Sequence, residues 1–238
     1  MTTHTAETSP RLRARVAGLL YLLQFPAAIF GTLLVPSMLI VPGDAATTAR
    51  NIMASESLFR LSIVSALFVQ ILGIVVVLAL YQVLKPVNRN MAVLMVIFLL
   101  LGVPIAMLNE LNQFAVLQLV SGADHVTVFT ADQVHTLVPL FLNLHAIGLS
   151  IAGLFWGLWL FPLGYLVFKS GFLPRILGIL LVIGCVGYLI QSFAAFLLPN
   201  FNVNLALFTS WGELLFPLWL LIKGVNVEQW KKRALTAA

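Results

Sequence analysis

Six side chains in this sequence could hold a polar or charged partner within apolar surroundings: Asn109, Glu110, Gln113, His145, Gln191 and Glu213. Three of them fall in MLNELNQF, residues 107–114, where a carboxylate, two asparagines and a glutamine interrupt a long apolar run. Asn109, Asn112 and Gln113 are spaced i, i+3, i+4, so on a helix they share a face. Glu213 stands in WGELLFPLW, with Pro217 four residues on. Proline has no N–H for the carbonyl of residue i−4, which here is Glu213 itself. A carboxylate at the level of a freed carbonyl is how membrane sites often hold cations or protons. The chemistry on offer is the binding of an ion or a small polar molecule.

The elements that position these groups must be membrane helices. Of the 238 residues, 61% are hydrophobic and 9% charged, and the mean hydropathy is +1.05. Soluble domains carry about 25% charged residues. A water-soluble fold has no way to bury this much apolar surface, so the chain reads as a polytopic membrane protein whose main partner is the lipid bilayer. The net charge of +5 comes from bases scattered between apolar runs, which is an orientation signal and not a nucleic-acid footprint. The one cysteine, Cys185, permits no disulfide within the chain.

A span needs roughly 20 apolar residues. Six are expected, at residues 15–36, 57–84, 91–119, 134–168, 175–198 and 205–223. Arg11, Arg13 and Arg15 precede an apolar stretch too long for a signal peptide, so it reads as the first span. Asp44 is placed to cap a short surface helix reaching about Ala54. Thr130-Ala131-Asp132-Gln133 reads as a capping box that opens the fourth span. PNFNVN, residues 199–204, reads as a turn before the sixth.

Lysine and arginine divide unequally between the two sides. Eleven lie on the side of the termini and two, Arg50 and Arg60, on the other, accounting for all 13. The positive-inside rule then puts both termini in the cytoplasm. The expected architecture is all-α: a bundle of six transmembrane helices over residues 11–226, in the cell (inner) membrane. A disordered tail of residues 1–10 precedes it and a juxtamembrane tail of residues 227–238 follows. In that second tail, Trp230 beside Lys231, Lys232 and Arg233 suits the headgroup region of an anionic leaflet.

Helical rise sets approximate depths. Glu110 lies roughly 28 Å up from Met91, and Gln191 roughly 24 Å up from Arg175. Asn143 and His145 lie roughly 36–39 Å up from Lys169, at the outer edge. Glu213 is about 15 Å from Lys223, near the midplane, with Gln24 at similar depth in the first span. These depths suggest an outward-facing polar cavity with Glu213 as its charged floor. Asn109, Glu110, Gln113, His145 and Gln191 would line it. Two plainer readings compete: the amides bond neighbouring helices, and Glu110 pairs with Arg60 at the outer end of the second span.

Catalytic constellations are hard to find. The sequence has no HExxH, GxSxG or P-loop, no lysine at a span midplane for a Schiff base, and no cofactor signature. His135 and His145 lie ten residues apart, roughly 15 Å along one helix, too far to share a metal. Asp132 and His135 could form a weak outer metal pair with Asp124 or His125. Gly153-Leu-Phe-Trp-Gly157 is a GxxxG helix-contact signal. Trp156 and Trp159 lie too deep for an interfacial belt and read as core.

Four stretches carry a family resemblance: VPGDAATTARNIMASESLFRLS (41–62), LYQVLKPVNRNMA (80–92), GLWLFPLGYLVFKSGFLPRILGILL (157–181) and WGELLFPLWLLIKGVN (211–226). Together they resemble a mostly bacterial membrane-protein family known as domain of unknown function 4386, over residues 12–226. The resemblance implies a multi-span membrane protein and no activity. The functional expectation therefore rests on the residues: binding or passage of a small molecule, ion or lipid headgroup. Alternatives are a structural or partner-binding membrane protein and, less favoured, an intramembrane enzyme.

Overall fold

The computed structural model describes residues 9–121, 129–198 and 203–236. Its elements are helical throughout: α1 (Pro10–Ala28), a π-helical stretch (Ile29–Leu34), α2 (Val35–Leu39), α3 (Ala45–Ala54), α4 (Glu56–Leu84), α5 (Arg89–Ser121), α6 (Ala131–Ser170), α7 (Arg175–Leu197), α8 (Leu205–Thr209), α9 (Trp211–Ile222) and α10 (Val227–Thr236). Among the described residues, five helical segments are long and apolar enough to cross a membrane: Pro10–Leu39, Glu56–Leu84, Arg89–Ser121, Ala131–Ser170 and Arg175–Leu197.

Local chemistry explains where these helices start. Asp44 accepts the Thr47 N–H at 2.8 Å and the Thr47 hydroxyl at 2.7 Å, capping α3. These hydrogen bonds hold the Asp44 carboxyl below its ordinary range. The capping box of α6 is formed. The Thr130 N–H donates to Gln133 Oε1 at 2.8 Å, and the Gln133 N–H to Thr130 Oγ1 at 3.3 Å. Asn88 caps α5 by accepting the Met91 N–H at 3.0 Å.

The sixth apolar segment departs from expectation. In place of one helix over 205–223 there are two, α8 and α9, separated by a break at Ser210. Thr209 Oγ1 donates to the Leu205 carbonyl at 2.9 Å, the kind of side-chain alternative with which Ser and Thr compete against helix hydrogen bonds. Beyond the break, Gly212 lies flat on the backbone of Leu180 and Leu181, so α9 starts packed against α7. With 12 residues, α9 is about 18 Å long, short of a hydrocarbon core about 30 Å thick.

The described residues pack as two compact units. One draws on residues 9–23, 72–102, 153–198 and 203–236, the other on residues 24–71, 103–121 and 129–152. In the first, α7 packs against α8 and α9, and Leu160, Leu163, Leu181, Phe216 and Leu220 are among its buried residues. The GxxxG signal acts there: a Cβ on Gly157 would sit 2.9 Å from Tyr188 Cβ. In the second unit the core comprises Val35, Ile52, Phe59, Ile63, Val116, Leu117 and Val138. The π-helical stretch belongs to this unit. It follows Pro26, and the Ser65 hydroxyl takes up the Ala27 carbonyl at 2.9 Å.

Candidate functional site

Within the second unit, α5 turns its polar residues inward, beside buried apolar ones such as Val116 and Leu117, and leaves other apolar residues exposed. Asn109, Glu110 and Gln113 are 7%, 6% and 5% exposed, whereas Leu108 and Leu111 are 65% and 62% exposed. Burying the polar groups while exposing leucines is what a lipid-facing helix requires, because a carboxylate turned to hydrocarbon costs several kcal/mol.

The buried stripe meets His145 of α6. Asn109 Nδ2 donates to the His145 carbonyl at 2.9 Å, and Asn112 Nδ2 donates to Asn109 Oδ1 at 3.0 Å. Gly148 makes this approach possible, since any Cβ there would overlap the Asn109 side chain. His145 Nε2 lies 2.9 Å from Gln113 Nε2 and 3.2 Å from Glu110 Oε1.

One ring nitrogen offers a single in-plane site, either N–H or lone pair. With the proton on Nε2, the ring donates to Glu110 and Gln113 must turn its amide oxygen inward. With Nε2 bare, its one lone pair accepts from the Gln113 amide. Among the described residues, Glu110 Oε2 is buried and has no hydrogen-bond partner. A buried acceptor left so costs about 1–3 kcal/mol.

The first unit gathers a different cluster around Glu213. The break at Ser210 puts Glu213 in the first turn of α9, its N–H bonded to the Ser210 carbonyl at 2.9 Å. The Tyr21 hydroxyl, from α1, donates to Glu213 Oε2 at 3.0 Å. Tyr188, from α7, lies beside the same carboxylate. Trp159 of α6 packs on Tyr21, with ring centroids 5.8 Å apart at 49°. Glu213 Oε1 is buried without a partner among the described residues. Gly18 brings α1 close to this helix: a Cβ there would lie 2.7 Å from the Pro217 carbonyl oxygen.

The structure thus brings four of the six sequence-derived residues together, Asn109, Glu110, Gln113 and His145. Glu213 and the half-buried Gln191 belong to the other compact unit. Arg60 pairs with Glu56, one turn away on α4, at 2.7 Å, so the Glu110 partner is His145 and not Arg60. Asn143 faces outward. Asp124 and His125, the partners considered for an outer metal pair with Asp132 and His135, lie outside the described residues, as do residues 199–202 of the PNFNVN turn and residues 1–8 of the expected tail.

Sequence reasoning missed Tyr21 and Tyr188. A weak signal existed for Tyr188, which lies 13 residues, roughly 20 Å, along α7 from Arg175. Tyrosines at lipid interfaces are common, and one that deep calls for a hydrogen-bond partner. Nothing local to Tyr21 points to residue 213.

No solved structure matches the chain. It is similar to an uncharacterized protein of Archaeoglobus fulgidus, 32% identical over 170 residues that cover 71% of this chain and 86% of the relative. The family described as Domain of unknown function (DUF4386) matches residues 16–224, and the chain belongs to that family.

Proposed function

We propose that this protein binds a small cationic or hydrogen-bond-donating solute at the Asn109–Glu110–Gln113–His145 cluster, within a bundle of six membrane spans. The observation that carries this reading is Glu110: 6% exposed, bonded through Oε1 to His145, with Oε2 buried and unpartnered among the described residues. An acceptor of that kind is satisfied by a cation or a donor. Asn109 and Gln113 add amides able to orient a polar ligand.

In this proposal α8 and α9 together form the sixth span, discontinuous at Ser210. Broken spans commonly line membrane sites, where side chains and backbone re-satisfy the freed groups. The skewed distribution of lysine and arginine supports placing both termini in the cytoplasm, with the protein in the cell membrane.

A second reading has its own support. The Asn109 bond to the His145 carbonyl, made over Gly148, is what a purely structural helix contact looks like. Glu110→Gln separates the two. A binding site predicts that ligand-dependent stabilisation of the purified protein disappears. Helix glue predicts a change in the basal melting temperature and no ligand dependence in either protein.

A further inference from the structure

A groove of about 700 Å³ opens where α9 ends and α10 begins, and it belongs wholly to the first unit. Its positive charges are Arg11 at the start of α1 and Lys223 at the end of α9; Phe172 and Trp219 supply an apolar wall. Glu228 also lines it, one negative charge against two positive. Arg11 and Lys223 are exposed, and neither enters an ion pair among the described residues.

The groove is built by the chain around Gly224. This residue has φ +70°, the left-handed conformation that ends a helix, and its N–H bonds the Trp219 carbonyl at 3.1 Å. A Cβ on Gly224 would lie 2.9 Å from Arg11 Cγ, so the glycine seats the Arg11 stem against the end of α9. One turn on, Arg15 donates to the Ile222 carbonyl at 3.1 Å and ties α1 to the same end. The Asn226 N–H bonds the Phe172 carbonyl at 3.3 Å, and Asn226 Oδ1 caps α10 by accepting the Gln229 N–H at 3.1 Å. The Trp230 indole donates to the Val83 carbonyl at 2.8 Å, anchoring α10 to the end of α4. The two cations are thus held on neighbouring supports beside the exposed Trp219, with Phe172 buried behind it.

We propose that this groove binds one anionic phospholipid, its phosphate between Arg11 and Lys223 and its acyl chain along Trp219. Charge complementarity selects the occupant. Two unpaired cations call for phosphate, and the adjoining Trp219, 37% exposed, calls for an apolar chain on the same molecule. Inorganic phosphate would satisfy the first and not the second.

The test uses the full-length protein purified in a neutral detergent, with retention of added dioleoyl phosphatidylglycerol read by native mass spectrometry. Wild type should retain this lipid in preference to dioleoyl phosphatidylcholine. Arg11→Gln with Lys223→Gln should lower its retention roughly tenfold or more, since each base near an anionic headgroup contributes a several-fold factor. Lys223→Gln alone should lower it severalfold, and Lys231→Gln with Lys232→Gln should leave it near wild type. Equal retention of both lipids, or undiminished retention by the Arg11/Lys223 variant, overturns the proposal. So does full displacement by millimolar inorganic phosphate, which would make the site one for the free ion. Equal loss in the Lys231/Lys232 variant overturns it too, by showing only a diffuse basic surface.

Discussion

The Tyr21 hydroxyl donates to Glu213 Oε2 at 3.0 Å, joining residues 192 positions apart in the chain. Among the described residues the carboxylate's other oxygen is buried without a partner, and Tyr188 lies beside the group. Tyr21→Phe should destabilise the protein by about 1–3 kcal/mol, the range for leaving a buried polar group unsatisfied. A double-mutant cycle with Glu213→Gln, read by unfolding in detergent, should give a coupling of about 0.5–3 kcal/mol. Additive effects would show that the two groups do not interact.

Gly148→Ala tests the contact between α5 and α6. The new Cβ would overlap the Asn109 side chain, which must then leave the His145 carbonyl. The expected loss is about 1–3 kcal/mol, as for other overpacked sites. Adding Asn109→Ala should recover part of it, because the overlap goes. Melting curves of the two variants and the wild type decide the matter.

Asp44 makes a pH prediction. Its carboxyl is held below the ordinary range chiefly by the Thr47 hydroxyl, so the folded value lies under the unfolded one. The cap's contribution is then fully present above the unfolded value. It is lost as pH falls through the folded one. Hydrogen exchange should show the first turn of α3 losing protection at acidic pH in wild type. In Asp44→Ala that turn should be weakly protected at every pH.

Arg60→Ala should leave the His145 cluster untouched. Its partner is Glu56 at i−4 on the same helix, in an exposed pair. Loss of such a pair costs about 0.5 kcal/mol or less. A larger effect, or one on ligand response, would mean that Arg60 reaches Glu110.

Much of the helical framework was legible because its signals are local. Asp44, Thr130 and Gln133 cap helices where their spacing says they should, and the apolar runs of α4, α5 and α7 end within a few residues of expectation. The shared face of Asn109, Asn112 and Gln113 was legible for the same reason: helical periodicity alone gives it, whereas the burial of Glu110 beside them was not. What was not legible depends on pairing between distant segments. Periodicity gives the face of a residue and not the helix that meets it, so His145 could be named but not matched to Glu110 and Gln113. Tyr21 could not be connected to Glu213 at all. The break at Ser210 escaped because hydropathy measures how apolar a segment is, and residues 205–223 are apolar with or without a continuous helix.

Ligand-dependent stabilisation of the purified wild type and the Glu110→Gln variant tests the binding site most directly. Both would be melted against a panel of monovalent cations, divalent cations and small amines. A ligand present at one hundred times its dissociation constant stabilises its site by about 2.7 kcal/mol. The account predicts that at least one member of the panel raises the wild-type melting temperature in a saturable way and has no such effect on Glu110→Gln. Identical responses of the two proteins across the whole panel would contradict it.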